Sequence, residues 1–368
     1  MNPKRLHLLL APKERFEPGA AGAFALNVVE TSRVSRWRDE ITVFGSPVPR
    51  PFADVRFHPL KVSRWSWRGR NLSMAHRYID KVERTPPDLV EIYNRPIMAE
   101  PIWRRFGNIP IALHFGNDPR GMDGSRSIRE RRDLLARCAA IVCVSEFIRL
   151  CFLHGIDTPF RDTTRVIHTG VEWAESFPAE KEFKIVFVGR IVPEKGVLEL
   201  VEALTRVLPR HPQWSAEILG AHWFGAGRGP SDYERMVART ASASNRVALM
   251  GFKPHDQVVA ALSAASIAIV PSLWDDPFPR AALEALAQGC ALICSRRGGI
   301  AEIGAERALF LDEISADSIA GALERLISNE AERRALQHRG WDSSPFDIVR
   351  TTSRLDDLRT TLMHRAES

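Results

Sequence analysis

Apolar residues along this chain gather in short runs: LHLLLAP (6–12), ITVFG (41–45), VRFHPL (55–60), LVEIYN (89–94), IPIALHF (109–115), AIVCVS (140–145) and RVIHTGV (165–171). They are rich in Val, Ile and Leu and scarcely alternate with polar residues, which predicts strands covered on both faces, as in a parallel sheet. Between several of them, apolar residues return at helical spacing. Strand and helix patterns in alternation predict an α/β fold built from βαβ units.

EWAESFPAEKEF (172–183) breaks the rhythm: it is charged, carries a proline, has no period and reads as a linker. A second series follows, with strands predicted at KIVFVGR (184–190), SAEILGA (215–221), VALMGFK (247–253), IAIVPSL (267–273), ALICS (291–295) and ALFLD (308–312), and helices such as GVLELVEALTRVLPRH between them. From residue 314 onward the pattern is helical, and Ile348, Leu355, Leu358 and Leu362 mark a packing stripe near the end. The reading is two Rossmann-like domains, 1–172 and 184–340, joined by a linker at 173–183, with a terminal helix over 341–368.

The length of 368 residues allows each domain its own core. With 45% hydrophobic and 26% charged residues, the composition excludes disordered and fibrous chains. No run reaches the ~20 apolar residues of a membrane-spanning helix, and the start does not read as a signal peptide. The five cysteines lie mostly in apolar runs, which suits buried thiols better than disulfides. Together these predict a cytoplasmic protein.

Charge is uneven. Residues 1–170 hold 28 Lys+Arg against 18 Asp+Glu, a net +10, and the remainder 23 against 27, a net −4. A basic first half suits an anionic partner such as a lipid surface, an anionic glycolipid or nucleic acid, or else simply a solvated face. KVSRWSWRGR (61–70) interleaves Trp65 and Trp67 with Arg64, Arg68 and Arg70, the composition of a membrane-interface anchor, although buried tryptophans flanked by solvated arginines would look the same.

Doubly wound sheets bind ligands beyond the carboxyl ends of their strands, so motifs just after strands carry the chemistry. After the first strand, Gly19 and Gly22 precede a helical pattern and let backbone amides approach an anion. VGRIVPEKG places Arg190 and Lys195 where two cations can neutralise a diphosphate. In PSLWDDPFPRAALEALAQG, Asp276 precedes a helix that holds Glu284 about a turn and a half inside it. A carboxylate can accept from the vicinal hydroxyls of a ribose or hexose. Pro279 suits the first helical turn, whose free amides favour phosphate. Taken singly, each has a plainer reading, as a tight turn, solvated loop charge, N-cap or surface helix residue.

Three stretches, GRIVPEKG, GFKPHDQVVAALSAASIAIVPS and DDPFPRAALEALAQGCALICSRRGGIAEI, in this order and spacing, resemble family 4 of the retaining glycosyltransferases, of the lipopolysaccharide- and exopolysaccharide-assembling type. The first half is similar more loosely, through PGAAGAFALNVVE, DLVEIYNRP, IALHFGNDP and IVCVSEFIR. The resemblance implies the GT-B fold, two Rossmann-like domains facing across a cleft with the last helix crossing back to the first. It implies that Arg190 and Lys195 hold the diphosphate of a nucleotide-sugar donor, that Glu284 binds its ribose, and that Asp276 and His114 lie beside its hexose. Gly19 and Gly22 match the loop closing over the donor, and Gly189, Phe252, Phe278, Pro279 and Arg280 complete the implied donor site. Asp276 stands where the family usually has Glu, and Pro279 where it commonly has Gly, which puts the identity of the sugar in question.

The implied function is transfer of a hexose or N-acetylhexosamine from a UDP-sugar, with GDP-mannose next, to a lipopolysaccharide core or another lipid-linked saccharide. The enzyme would need no metal or other cofactor, since Asp275 and Asp276 form no DxD motif. It would have a glycan or glycolipid acceptor on its first domain and an anionic membrane surface as a peripheral partner. A non-catalytic sugar-nucleotide binder, or a transferase with a soluble or exopolysaccharide acceptor, is the alternative. A nicotinamide-dependent oxidoreductase should carry GxGxxG with a following acid, which this chain lacks. No nucleic-acid-reading module is evident, so nucleic acid is not an expected partner.

Overall fold

The computed structural model describes every residue except 1–3, 64, 66, 68, 158–162, 178–179, 223–228, 343–344 and 366–368. The chain divides into two units, Met1–Gly170 with Ile348–Ser368, and Val171–Asp347.

The first unit runs β1 (Leu6–Leu9), α1 (Ala23–Val34), β2 (Ile41–Gly45), β3 (Phe57–Pro59), α2 (Arg70–Val82), β4 (Leu89–Tyr93), α3 (Ala99–Phe106), β5 (Ile111–Phe115), α4 (Ile128–Arg137), β6 (Ala140–Cys143), α5 (Glu146–Leu153) and β7 (Thr164–Val166). Its seven strands form one parallel sheet in the order β3-β2-β1-β4-β5-β6-β7. The second runs β8 (Glu182–Val188), α6 (Val197–Val207), β9 (Ser215–Leu219), α7 (Asp232–Ala241), β10 (Val247–Gly251), α8 (His255–Ala264), β11 (Ala265–Val270), α9 (Arg280–Ala287), β12 (Ala291–Ser295), α10 (Ile300–Gly304), β13 (Ala308–Leu311), α11 (Ala316–Ser328) and α12 (Glu330–Asp342). Its parallel sheet has the order β10-β9-β8-β11-β12-β13. The final helix, α13 (Ile348–Arg365), belongs to the first unit.

Each predicted strand overlaps an observed one and most end earlier than predicted, while β7, β8 and β11 begin one or two residues before the predicted start. The residues beyond, such as Gly189–Arg190 and Pro271–Leu273, have left the ladder for loops. Three readings shift. Glu182 and Phe183, taken as linker, open β8; the helical tail from 341 is split between the end of α12 and α13; and the first unit resumes at Ile348 rather than 341.

Central strands such as β4, β5, β11 and β12 are buried at every position, as sheets covered on both faces require. One face of the first sheet packs Met74, Ile102, Leu134 and Phe152 from α2 to α5. The other packs Val28 and Val29 of α1 and Leu362 and Met363 of α13. Serines begin several helices: Ser127 and Ser231 form capping boxes with Glu130 and Glu234, and Ser145 and Ser315 cap α5 and α11. All five cysteines are buried and none is in a disulfide.

In both sheets the order reverses between the first and fourth strands, β1 and β4 in one, β8 and β11 in the other. The loops after these strands open the crevice in which doubly wound sheets bind ligands. The motifs singled out from sequence follow β1, β8 and β11.

Candidate functional site

In the second unit, three loops at the carboxyl ends of the sheet are tied together. The loop after β8 carries Gly189 and Arg190, then a 3-10 turn at Pro193–Lys195, and ends at Gly196, whose φ of +65° is left-handed. The Glu194 carbonyl accepts the Leu273 amide at 2.9 Å, which hangs the loop after β11 from the loop after β8. The Asp276 carbonyl accepts the Gly299 amide at 2.8 Å from the loop after β12. Gly298, with φ +55°, lies so close that a Cβ would sit 2.4 Å from the Asp276 oxygen.

These ties bring Lys195 and Asp276 together: the ammonium donates to Oδ2 of the buried carboxylate and lies 5.6 Å from the Trp274 ring centroid. Asp276, expected beside a hexose, instead neutralises the lysine expected on the diphosphate. Arg190 is exposed and meets no acid among the described residues. Of the two cations, only Arg190 is uncommitted.

The carboxylate of Glu284 is buried within α9. Its Oε1 accepts from Arg280 Nε at 2.6 Å, one helical turn earlier, and lies 2.7 Å from His255 Nε2 at the start of α8. Burial pushes its pKa up, but the Arg280 charge and the His255 and Arg280 hydrogen bonds outweigh it, and the group is held below the usual range as an anion. Its Oε2 takes no donor among the described residues, leaving an oriented acceptor for hydroxyl groups. Pro279 sits one place earlier than expected, at the N-cap, so Arg280 is the first helical residue. Phe278 is buried and packs edge-on against Phe346 at 5.5 Å; Phe252 is half exposed, just after β10.

In the first unit, Gly19 (φ +76°) stands in open space and Gly22 is the N-cap of α1. Glu14 approaches this helix start. Its carboxylate takes the Ala25 amide, and a Cβ at Gly22 would lie 3.0 Å from Oε2. Burial raises its pKa against the opposing Arg95 charge and that hydrogen bond. An acid thus already uses the positive end of α1 that was expected to meet an anionic ligand.

His114 lies within β5, opposite Tyr93 of β4 in the parallel register. The two rings stack at 4.4 Å with 13° between planes. Strand periodicity puts Glu91 on the same face as Tyr93, and Glu91 Oε2 is 3.6 Å from His114 Nε2. Arg359 of α13, itself 0% exposed, donates from Nε and Nη2 to the two Glu91 oxygens at 2.8 and 2.9 Å, and Tyr93 Oη donates to Oε2 at 2.8 Å. Despite burial, which pushes its pKa up, Glu91 is brought down to about 2 by Arg359. Burial pushes His114 down to about 4, Glu91 opposing and Arg359 assisting, so the ring is neutral near pH 7.

Trp65 and Trp67 are 94% and 87% exposed, which sets aside the reading of buried tryptophans. Arg64 and Arg68 lie outside the described residues. Trp67 borders a 290 Å³ pocket with Ser73, His76, Arg77 and Asp80.

His255, Glu91, Tyr93, Arg359 and Glu14 were missed in the sequence. A signal existed for Glu91, a charge inside the apolar run LVEIYN, since an acid is rarely fully buried unless paired. Nothing local to His255 or Arg359 distinguishes it.

Comparison with known proteins follows the same lines. Residues 172–341 match the family model of glycosyl transferases group 1. A putative glycosyltransferase of Bacillus subtilis, YtcC, is 24% identical over 234 residues, 59% of this chain and 57% of that protein. A lipopolysaccharide 1,2-N-acetylglucosaminetransferase of Salmonella typhimurium is 27% identical over 156 residues, 41% of each chain. The chain thus spans about half the length of the curated relatives it matches. Among solved structures, Anabaena Alr3699/HepE, crystallised with UDP and glucose, superposes with a TM-score of 0.75 at 16% identity, over 97% of this chain and 100% of that one. At that identity the match carries the fold, which is GT-B.

Proposed function

We propose that this chain, a member of the glycosyl transferases group 1 with the GT-B fold, moves a hexose or N-acetylhexosamine from a nucleoside-diphosphate sugar to a glycan acceptor with retention of configuration. The observation that carries this reading is Glu284, a buried anion with one oxygen held by His255 and Arg280 and the other open to vicinal hydroxyls. Arg190 supplies the positive charge that a departing nucleoside diphosphate needs as its negative charge develops, and Lys195 adds to it when the diphosphate takes the place of Asp276. UDP is the favoured nucleotide, in line with the ligands of the Anabaena protein, and GDP comes next. The transferase works without a metal and stays active in chelator. No enzyme nucleophile is assigned.

A thermal-shift panel of UDP, GDP, ADP, their sugar conjugates and NAD tests this. A ligand at 100 times its dissociation constant stabilises by about 2.7 kcal/mol. One nucleoside diphosphate is expected to shift the wild type and to fail with Glu284→Ala. Asp276→Asn, which releases Lys195, is expected to bind the sugar-free diphosphate about tenfold more tightly, because a competing charge partner is gone. A shift with NAD alone, or with none of the panel, overturns the reading.

The acceptor is placed on the first unit and is a lipid-linked saccharide, such as a lipopolysaccharide core, with the enzyme peripheral to the cytoplasmic membrane face. The exposure of Trp65 and Trp67 within a basic segment supports this, since indoles favour the interface of anionic bilayers. Flotation with anionic vesicles is expected to carry the wild type but not Trp65→Ala/Trp67→Ala; equal flotation of both removes the anchor, and no flotation of the wild type removes the membrane.

A further inference from the structure

The face of the first sheet under α13 holds an ion pair that no packing need explains. Arg359 and Glu91 are separated by 268 positions, and Arg359 sits on the helix the chain forms only after completing the second unit. Burying two charges costs desolvation that an apolar pair would avoid, so such a pair is weak evidence of a role in stability. Here the carboxylate has a third neighbour besides Arg359 and Tyr93: Nε2 of His114, at 3.6 Å, a shielded ring nitrogen without a hydrogen bond in the structure.

Electrostatics decides which ring nitrogen carries the proton. A bare Nε2 would set its lone pair against an anionic oxygen in a buried site, whereas Nε2–H turns a donor toward it. Tyr93, stacked on the imidazole, stops the ring from turning away, and its hydroxyl holds the same Glu91 oxygen that faces Nε2. Arg359 grips both oxygens with two parallel hydrogen bonds, and so keeps the carboxylate from rotating. Asp356, one turn earlier on α13, accepts from Arg359 at 3.0 Å and from Ser35 at 2.7 Å, anchoring the guanidinium in turn. Nδ1 takes no partner among the described residues.

We propose that Glu91, clamped by Arg359 and Tyr93, is a positioning residue that fixes His114 as the Nε2–H tautomer and leaves Nδ1 as a hydrogen-bond acceptor for a substrate hydroxyl. The catalytic consequence rests on the glycosyltransferase reading; the tautomer does not. It follows that the first unit's histidine is set correctly only once α13 has docked on the first sheet, so Arg359 makes the readiness of that residue depend on a helix formed after the second unit.

The test uses the full chain labelled with ¹⁵N-histidine. The His114 ring, one of 11 histidines, is assigned by its loss in His114→Gln, and long-range ¹H–¹⁵N correlations identify the protonated nitrogen. The wild type is expected to show Nε2–H at pH 7. In Glu91→Gln the tautomer is expected to mix or reverse, and kcat to fall about 10²-fold with the donor KM changed less than about threefold, the size expected from misplacing a contact group. Arg359→Lys keeps a cation on the carboxylate and should retain the tautomer with a loss under about tenfold. If Glu91→Gln does not fold, Glu91→Gln/Arg359→Met removes both buried charges together and must show the same change of tautomer. An Nδ1–H tautomer in the wild type, or one unmoved by every Glu91 substitution, overturns the proposal. If the tautomer responds as expected but no donor is turned over, the proposed function fails and the positioning role stands.

Discussion

Arg190→Ala is expected to lower turnover on the order of 10²-fold, the loss typical of removing one preorganised charge partner from a developing anion. Its position makes the prediction clean. Arg190 follows β8, one of the two strands at the point where the sheet order reverses, and it is exposed and pairs with no acid among the described residues. Removing it strands no buried partner, so the folding midpoint should stay within about 1 °C, as for surface substitutions worth no more than ±0.5 kcal/mol. Lys195→Ala contrasts with this, because it leaves the buried Asp276 carboxylate uncompensated and should lose stability as well as turnover. Steady-state kinetics beside a thermal melt separates the two. Activity of Arg190→Ala within a factor of a few of wild type would remove Arg190 from the donor site.

Gly196→Ala is expected to cost more than about 3 kcal/mol and to abolish nucleoside-diphosphate binding, because two penalties coincide. At φ +65° an alanine enters the left-handed region at about 1–2 kcal/mol. Its Cβ would also stand 2.1 Å from the carbonyl oxygen of Pro271, the first residue after β11. A backbone oxygen there cannot swing aside as a side chain could, so the loops after β8 and β11 must separate. Those loops hold Lys195 against Asp276 and the Leu273 amide on Glu194, and the proposed donor site is expected to open with them. Gly321→Ala is the matched control: the residue lies inside α11 with nothing within 4 Å of a new Cβ, and the change should stabilise by about 0.5–1 kcal/mol. Denaturant titration and diphosphate binding on both variants decide the matter; a Gly196→Ala protein with wild-type stability and affinity would mean that the loops tolerate separation.

The composition around Trp65 and Trp67 alone allowed both a core and an interface reading, and the structure, with both side chains exposed, sets aside the core reading.

Local patterning was enough to place thirteen strands and to rank the loops that matter, because strand and helix periodicities repeat every two or about 3.6 residues and are written into neighbours. Glu284 was singled out as a candidate by its place inside the helix after WDDPFP, and Arg190 and Lys195 by theirs after a strand, since the α/β architecture puts such loops at one end of the sheet. Which residues hold those groups was decided only by the tertiary fold. His255 reaches Glu284 across 29 positions, Lys195 reaches Asp276 across 81, and Arg359 reaches Glu91 across 268. No periodicity spans such separations, because these partners meet only once the strands have taken the order β3-β2-β1-β4 and β9-β8-β11 and α13 has packed on the first sheet. The residue types and loops of the candidate site were therefore readable from the sequence, while the charge state, orientation and pairing of each side chain came from neighbours that the sheet order supplies.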